Sequence, residues 1–320
     1  MKIIEVKDKT LLIGEREEPQ IGDHEVLIKV KASGINRADI AQKNGLYPPP
    51  PGASDILGLE CSGIIEEVGK EVTSKKPGDE VMALLGGGGY AEYVTCREFH
   101  AIKKPKNLNW IEAAAIPEVF ATCWLNLFME ASMKAGDKVV FHAGASGIGT
   151  AGIQLAKTFG CESFVTAGTK EKIDFCINLG ASNGEVRSKD IFSKIKDWAP
   201  NGVDIILDPV GGNYFERNLE VLGIEGNLII IGLMGGAKTE LNLGLLMIKR
   251  QKIIGSTIRA RDEKTKNAVM TELSNKLIPH LEVGEIKPII HQSLPFEDCL
   301  EAHRIMESDE NIGKLILELD

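Results

Sequence analysis

The sequence lacks the cysteine spacing of a metal or disulfide framework. No two of its six cysteines form a Cys-x-x-Cys pair; they are Cys61, Cys96, Cys123, Cys161, Cys176 and Cys299. Such scatter indicates buried thiols in a reducing compartment, because zinc knuckles and disulfide scaffolds need regular, closely spaced cysteines. We therefore expect an intracellular, cytoplasmic protein.

Long apolar runs and a positive net charge are also missing. No run of apolar residues approaches the ~20 needed to cross a bilayer. The first six residues alternate charged and apolar side chains, which indicates a strand and not a signal peptide. The net charge of −9 argues against general nucleic-acid binding, although a local site for an anionic cofactor remains possible. We expect neither a membrane nor a nucleic acid as partner.

The composition that is present is that of a globular protein. With 320 residues, 43% hydrophobic and 26% charged, the chain is long enough for two domains. The first third consists of short strands such as 26–31 and 80–83, separated by glycine and proline. From about Ala113, apolar strands alternate with amphipathic helices, which predicts a parallel doubly wound sheet.

These two patterns predict an α/β fold with two domains. The β-rich domain covers residues 1–118 and is completed by residues 272–320. The doubly wound domain covers residues 119–271, and its predicted strands include 138–142, 163–167, 203–207, 227–231 and 253–258.

A glycine-rich turn joins the predicted strand 138–142 to the helix that follows it. Gly147, Gly149 and Gly152 have the Gly-x-Gly-x-x-Gly spacing. Gly147 would permit the tight turn, Gly149 would leave room for the phosphates, and Gly152 would let the helix approach the sheet. Because a strand precedes the turn and a helix follows it, the motif predicts a dinucleotide site and not a flexible linker.

The residues after the next strand indicate which dinucleotide is bound. NAD sites carry an acidic residue there, whereas this chain has Gly168, and Lys172 four residues later. Glycine leaves room for a 2′-phosphate, Lys172 supplies positive charge, and Arg187 is expected to add a bidentate contact. Two such hydrogen bonds, at ~1.5–3 kcal/mol each, would favour NADPH by ~100-fold or more. Lys170 is expected to lie on the solvated face of the helix.

Short motifs spread over essentially the whole chain identify a family. They are Gly34-Ile35-Asn36-Arg37-Ala38-Asp39, Gly45-Leu46-Tyr47, the segments 49–54 and 58–60, Ala113 to Glu118, His142 to Gly147, 232–236 and Asn311 to Lys314. Together they resemble the zinc-free medium-chain dehydrogenases/reductases of the quinone oxidoreductase branch, and within it the p53-inducible, NADPH-dependent subgroup. The resemblance implies a GroES-like catalytic domain and a Rossmann domain that binds NADPH.

The resemblance also implies that metal is absent. Where zinc alcohol dehydrogenases of this superfamily ligate the metal, this chain has Asn36 and Leu59. A leucine cannot bind zinc, and the four-cysteine structural lobe is missing as well. We expect no metal site and no alcohol oxidation, because a simple alcohol needs a Lewis acid to lose its proton.

The site residues are implied by the same resemblance. Asn36 and Tyr47 would line the catalytic cleft between the domains, where Tyr47 either orients or protonates a quinone oxygen or only forms the wall. Relatives commonly have a tyrosine at the position of Arg187, so contacts on the adenine side are expected to differ. The other implied cofactor contacts are Asn36, Thr122, Ser146, Gly147, Ile148, Gly168, Lys172, Leu233, Met234, Gly235, Thr257, Ile258, Arg259 and Lys314.

Three functions remain open at this point. The first is an NADPH-dependent quinone reductase, and the second is a reductase of activated double bonds in an enone, enal or enoyl thioester. The third is an NADPH-gated binding protein, since some relatives bind RNA or serve as lens crystallins. The resemblance further implies a homodimer formed through the apolar strand 253–258. His142, Asp39, Glu60 and Asp208 are interpreted as hydrogen-bonding scaffold.

Overall fold

The computed structural model describes residues 1–319 and divides into two compact units. The first unit comprises residues 1–121 and 258–319, and the second comprises residues 122–257. The domain boundaries predicted from sequence, at 118/119 and 271/272, stay predictions; here the residues 258–271 group with the first unit. Two contacts account for this: Arg259 Nε donates to the Gly86 carbonyl at 2.8 Å, and Arg97 pairs with Glu263.

The first unit is built on a seven-stranded sheet whose order is β14-β15-β3-β4-β5-β7, with β6 also paired to β3. Its strands are β3 (Glu25–Ile35), β4 (Glu60–Val68), β5 (Glu80–Leu84), β6 (Tyr93–Arg97), β7 (Ala101–Lys103), β14 (Ile290–Pro295) and β15 (Lys314–Glu318). A separate antiparallel pair consists of β1 (Lys2–Lys7) and β2 (Thr10–Glu15). All pairs in the sheet are antiparallel except β14 with β15.

Strand register brings Asn36, Glu60 and Lys314 to one end of this sheet, where Asn36 directly follows β3. Strand β15 pairs with β3 so that Leu315 faces Ile35, and β4 pairs with β3 so that Cys61 faces Ser33. The end of β3 therefore lies beside the first residues of β4 and β15. Those first residues are Glu60 and Lys314. Strand β3 is mostly buried and apolar, as a strand between two neighbours must be.

Helices of the first unit cover the sheet and close its core. They are α1 (Arg37–Lys43), α2 (Trp110–Ala114), α9 (Glu263–Glu272), α10 (Ile278–Glu282) and α11 (Cys299–Glu307). Shorter helical turns lie at Glu98–His100, Leu273–Leu277 and Phe296–Asp298. One buried cluster includes Ile35, Leu57 and Leu315, each 0% exposed, so the strand ends that carry the polar residues are held in a packed core.

The second unit is the parallel doubly wound sheet that the sequence predicts. Its strand order is β10-β9-β8-β11-β12-β13, and every neighbouring pair is parallel. The strands are β8 (Lys138–Phe141), β9 (Glu162–Ala167), β10 (Asn183–Val186), β11 (Val203–Asp208), β12 (Leu222–Ile230) and β13 (Lys252–Gly255). The helices are α4 (Gly147–Thr158), α5 (Lys170–Leu179), α6 (Ile191–Trp198), α7 (Gly212–Val221) and α8 (Leu243–Lys249).

The strand order makes a ligand site at one edge of the sheet. In open α/β sheets, ligands bind beyond the carboxyl ends of the strands, where the strand order reverses. Here the order reverses between β8 and β11, so the residues after Phe141, Ala167 and Asp208 face this edge. Buried apolar side chains of these strands pack together and hold the strands in this order. They are Val140, Phe164 and Ile206, each at most 1% exposed.

One continuous helical segment, Trp110–Glu130, comprises α2, α3 (Pro117–Trp124) and a π-helical end, Leu125–Glu130. It has 21 residues and a mean hydropathy of 1.2, and is long and apolar enough to cross a membrane. The sequence predicts no apolar segment of that length. Because 78% of its apolar window is buried inside the protein, the segment fits a core helix.

All six cysteines are buried and none forms a disulfide, as their scatter predicts.

Candidate active site

The glycine turn after β8 forms the start of helix α4. Ser146 caps the helix, because its Oγ accepts a hydrogen bond from the Gly149 N–H at 3.1 Å. The left-handed residue of the turn is Ala143, with φ 57°, and Gly147 has no positive φ. The tight turn predicted at Gly147 therefore lies four residues earlier. A side chain on Gly149 would lie 2.3 Å from the Gly144 carbonyl oxygen, so the turn itself requires glycine there.

Gly152 has the role that the sequence predicts for it. A Cβ at this position would lie 2.4 Å from the Phe141 ring, which belongs to β8. The helix can approach the strand only because residue 152 has no side chain. Helix α4 is thereby held with its N-terminus at the carboxyl edge of the sheet, where backbone N–H groups and the helix dipole favour an anionic group.

The end of β9 combines a glycine with a nearby guanidinium group. A Cβ on Gly168 would lie 2.8 Å from Nη2 of Arg187. The Arg187 guanidinium therefore lies beside the space that a side chain at position 168 would occupy. The Arg187 N–H donates to the Ala167 carbonyl at 2.8 Å, which fixes the Arg187 backbone beside this strand end. Lys172 lies in the first turn of α5, capped by Thr169. Lys170 instead forms an exposed ion pair with Asp174.

The other predicted cofactor residues of the second unit are more dispersed. Thr122 is buried and its carbonyl accepts a hydrogen bond from Asn126. Leu233 and Met234 are 57% and 51% exposed. They follow β12, and the Gly235 N–H donates to the Val210 carbonyl at 2.7 Å. Thr257, after β13, is exposed, and Ile258, the first residue of the returning segment, is buried.

His142 belongs to a buried hydrogen-bond network, as expected of a scaffold residue. Its Nε2 lies 2.8 Å from Asn218 Oδ1, and its Nδ1 lies 3.1 Å from Thr166 Oγ1. Asn218 in turn donates to Asp208, which also accepts from two backbone N–H groups. Burial lowers the pKa of His142 and raises that of Asp208. The network joins the ends of β8, β9 and β11.

In the first unit, Asn36 is held on two sides by a buried ion pair. The Lys314 ammonium lies 2.6 Å from Glu60 Oε1 and donates to Asn36 Oδ1 at 2.5 Å. Asn36 Nδ2 donates to Glu60 Oε1 at 2.9 Å, and the Ile35 carbonyl accepts a third proton from Lys314. Glu60 is 0% exposed and the Lys314 side chain 4%. The carboxamide plane of Asn36 is thus fixed before any ligand binds.

The sequence does not predict this ion pair: Glu60 is interpreted as scaffold, and the family resemblance implies Lys314 as a cofactor contact. The sequence does contain one signal for the pair, a charged residue at the first position of each of two apolar strands. Buried charges are almost always paired, so these two residues are candidates for an ion pair. All three ammonium protons of Lys314 have acceptors within the first unit, so its role as a cofactor contact remains a prediction.

A second buried polar chain begins next to Asn36. Asp39 accepts hydrogen bonds from the N–H groups of Asn36 and Gly58 and from the Tyr90 hydroxyl, which lies 3.2 Å from His303 Nε2. Burial raises the pKa of Asp39 to about 6. Burial also lowers the pKa of His303 to about 3, so this histidine is neutral at pH 7.

Tyr47 lies beside Arg259. The guanidinium carbon is 5.3 Å from the centroid of the Tyr47 ring, which is cation–π distance, and Arg259 also donates to the Tyr47 carbonyl at 3.4 Å. Burial raises the pKa of the Tyr47 hydroxyl, while the charge of Arg259 opposes that rise. The hydroxyl is therefore neutral at pH 7 and able to donate a hydrogen bond.

Known proteins resemble both units. Residues 147–275 match the zinc-binding dehydrogenase family, and residues 22–106 match the GroES-like domain of alcohol dehydrogenases. The quinone oxidoreductase of Homo sapiens is 32% identical over 303 residues, which is 93% of this chain and 90% of that protein. The chain belongs to the quinone oxidoreductase family of medium-chain dehydrogenases/reductases. The predicted GroES-like and Rossmann-like pair of domains is thereby confirmed; membership of the p53-inducible subgroup stays a prediction.

Solved structures of this superfamily have the same fold. The quinone oxidoreductase of Escherichia coli, crystallised with NADPH, is 28% identical with a TM-score of 0.87, and the match covers 99% of both chains. The JamJ enoyl reductase is 26% identical with a TM-score of 0.89, covering 100% of this chain and 99% of that one. As a member of this superfamily, the protein is an oxidoreductase that uses a nicotinamide cofactor.

The zinc ion of zinc-dependent superfamily members does not fit the residues found here. Leu59 is 3% exposed and has no atom that could bind a metal ion. The side-chain oxygen of Asn36 accepts a hydrogen bond from Lys314, and its nitrogen donates one to Glu60. The Lys314 ammonium already neutralises Glu60. Across residues 1–319, no group of three or more His, Cys, Asp or Glu side chains could hold a metal ion. We therefore derive no step through zinc.

The buried ion pair generates a first prediction. Lys314→Met should destabilise the protein by about 3–5 kcal/mol, because it leaves the Glu60 carboxylate buried without a counter-ion. The double variant Glu60→Gln/Lys314→Met should recover part of that loss. Urea unfolding of the two single variants and of the double variant measures the free energies of unfolding that test this. Additive losses would contradict the pairing. Arg16→Met, in an exposed pair with Asp55, is the control and should cost less than about 1 kcal/mol.

His303 generates a second prediction, for stability against pH. Folded His303 takes up a proton only near pH 3, whereas the unfolded side chain does so near ~6.5. The unfolded state therefore binds more protons as pH falls below ~6.5, and His303 should cost about 2 kcal/mol of stability between pH 7 and pH 5.

His303→Gln should reduce the loss of unfolding free energy over that interval by the same amount. The exposed His24→Gln is the control and should leave the pH dependence unchanged. Parallel pH profiles for wild type and His303→Gln would show that the proposed burial effect is wrong.

Proposed function

We propose that the protein is an NADPH-dependent quinone reductase. The arrangement at the end of β9 supports this proposal most: Gly168 replaces the acid of NAD sites, and the Arg187 guanidinium borders the space left by the missing side chain. A 2′-phosphate in that space would meet positive charge from Arg187 and from Lys172 in the first turn of α5. An acidic side chain would repel the same phosphate.

The residues of the second unit fit a nicotinamide dinucleotide. Ser146, Gly147 and Ile148 begin α4, where the backbone N–H groups suit the pyrophosphate. Gly168, Lys172 and Arg187 suit the adenosine ribose and its phosphate. A bound nicotinamide supplies the hydride. The predicted contacts at Thr122, Leu233, Met234, Gly235, Thr257 and Ile258 are retained as part of the proposal.

The residues of the first unit would bind and orient the hydride acceptor. Tyr47 carries a neutral hydroxyl that can donate to a carbonyl oxygen and release a proton to it. Asn36 would offer its carboxamide in an orientation that Lys314 and Glu60 have already fixed, so no rotamer freedom is lost on binding. A quinone is already a strong electron acceptor, and these neutral donors are sufficient without a metal.

The acceptor panel is the first test of this function. The purified protein with NADPH should reduce an ortho-quinone or a para-quinone faster than a simple enone or an enoyl thioester, measured as NADPH oxidation at saturating cofactor. Fast enone reduction beside negligible quinone turnover would favour the rival double-bond reductase, which the likeness to the JamJ enoyl reductase supports. NADPH binding without turnover of any acceptor would favour the NADPH-gated binding protein.

Cofactor preference is the second test. Changing Lys172 and Arg187 to alanine should weaken NADPH binding by ~100-fold or more and spare NADH, because two charge-assisted hydrogen bonds to the 2′-phosphate are lost. Fluorescence titration of both cofactors measures the effect. Lys170→Ala is the control, since Lys170 pairs with Asp174, and it should change neither affinity. Equal losses for NADPH and NADH would refute the assignment.

We also propose a homodimer formed through the end of the second unit's sheet. Strand β13 is the last strand of that sheet, with Ile253 and Ile254 half-buried. Leu243, Met247 and Ile248 of the adjacent helix α8 are 68%, 72% and 72% exposed. An open strand edge beside exposed apolar side chains is a surface that proteins normally cover.

Sedimentation velocity tests the dimer. The wild type should sediment as a dimer, and Met247→Lys should shift it toward monomer because it places a charge in the apolar contact. Val283→Asp changes a residue that is 78% exposed in the first unit, and it should leave the dimer intact. A wild-type monomer at every concentration would dispose of this proposal.

A further inference from the structure

Arg259 is a buried arginine that forms no ion pair with a carboxylate of residues 1–319. It is 4% exposed, and its contacts are to neutral groups: Nε donates to the Gly86 carbonyl at 2.8 Å, and Nη1 donates to the Tyr47 carbonyl at 3.4 Å. Its third nitrogen, Nη2, is buried and has no hydrogen-bond partner in the described chain. Buried charges in proteins are normally paired, and among residues 1–319 no carboxylate is in direct contact with this guanidinium.

The guanidinium that carries the unpaired nitrogen packs against an aromatic ring. The guanidinium lies 5.3 Å from the centroid of the half-buried Tyr47 ring. The charged groups that act on the two side chains are Glu118 for Tyr47 and Asp39 for Arg259, in addition to each other. Arg259 stabilises the ionised form of Tyr47, while burial opposes it. A positive charge and a neutral hydroxyl, whose pKa burial raises and Arg259 partly restores, therefore belong to neighbouring side chains.

We propose that Arg259 and Tyr47 form an oxyanion-binding subsite for the carbonyl oxygen of the hydride acceptor. The inference rests on the proposed reductase function and deepens it, because it adds Arg259 to the residues that act on the acceptor. An acceptor must carry a carbonyl conjugated with the carbon that receives the hydride, as in a quinone or an enone. Arg259, which the family resemblance assigns to the cofactor, is here a catalytic residue.

The acceptor gains a hydride, which is one proton and two electrons, from the reduced nicotinamide. The electron pair displaced from the conjugated system becomes a negative charge on the carbonyl oxygen, beside the Arg259 guanidinium. The O–H bond of Tyr47 breaks and a new O–H bond forms on the product. The tyrosinate that remains is stabilised by Arg259 until water returns the proton.

The test compares Arg259→Gln with Arg259→Lys in the full-length protein. Loss of the oxyanion donor in Arg259→Gln should lower kcat for a para-quinone by about 10²–10³-fold, and Arg259→Lys, which keeps the charge, should recover a part of it. The dissociation constant of NADPH, from fluorescence titration, should not change. Arg261→Gln, at the nearby half-buried arginine, is the matched control and should leave kcat unchanged.

The variant Tyr47→Phe is the second part of the test. If Tyr47 and Arg259 act on one oxygen, the double variant Tyr47→Phe/Arg259→Gln should lose less activity than the product of the two single losses. Thermal melts identify any variant that fails to fold; the Arg259→Lys result then decides.

Two outcomes overturn the inference alone. One is a wild-type kcat in Arg259→Gln with normal NADPH binding. The other is weakened NADPH binding in Arg259→Gln with kcat preserved at saturating cofactor, which would make Arg259 the cofactor contact that the resemblance implies. A wild-type protein that reduces neither quinone nor enone overturns both the inference and the proposed function.

Discussion

The buried pair of Lys314 and Glu60 is the interaction on which the first unit depends. It joins the starts of β4 and β15 at the end of β3, and it holds Asn36 between two opposite charges. The three strands must be in their observed register for the charges to meet, because a shift of one residue would turn one of the two side chains to the opposite face. Fold and site are therefore specified by the same contact.

The same pair supplies the positive charge at this end of the sheet. The Lys314 ammonium is held by Ile35, Asn36 and Glu60. Because all three of its protons have acceptors, it has none left to donate to a substrate oxygen. What it can do is orient an amide, and positioning is the part of catalysis that a reactive cofactor and an electron-poor acceptor require of the protein.

Local features of the sequence predicted the second unit well. Its strands and helices follow from periodicity, and the role of Gly152 follows from spacing, because each depends on residues close together in the chain. The ion pair could not be found this way: Lys314 lies 278 positions from Asn36 and almost as far from Glu60, and pairing depends on a strand register that no local pattern encodes. The second domain boundary is ambiguous for a related reason. Helix α9 has an amphipathic pattern that would suit either unit, and only the contacts of Arg259 and Glu263 place it.

The position of β15 in the chain has a consequence for biosynthesis. Strand β15 follows β3 and β4 in the chain, and Lys314 is made 278 positions after Asn36. During synthesis Glu60 therefore exists before its ammonium partner, and a buried carboxylate without a counter-ion is costly. This end of the sheet can close at low cost only once β15 has paired with β3, so docking of β15 is a late step in the assembly of the first unit.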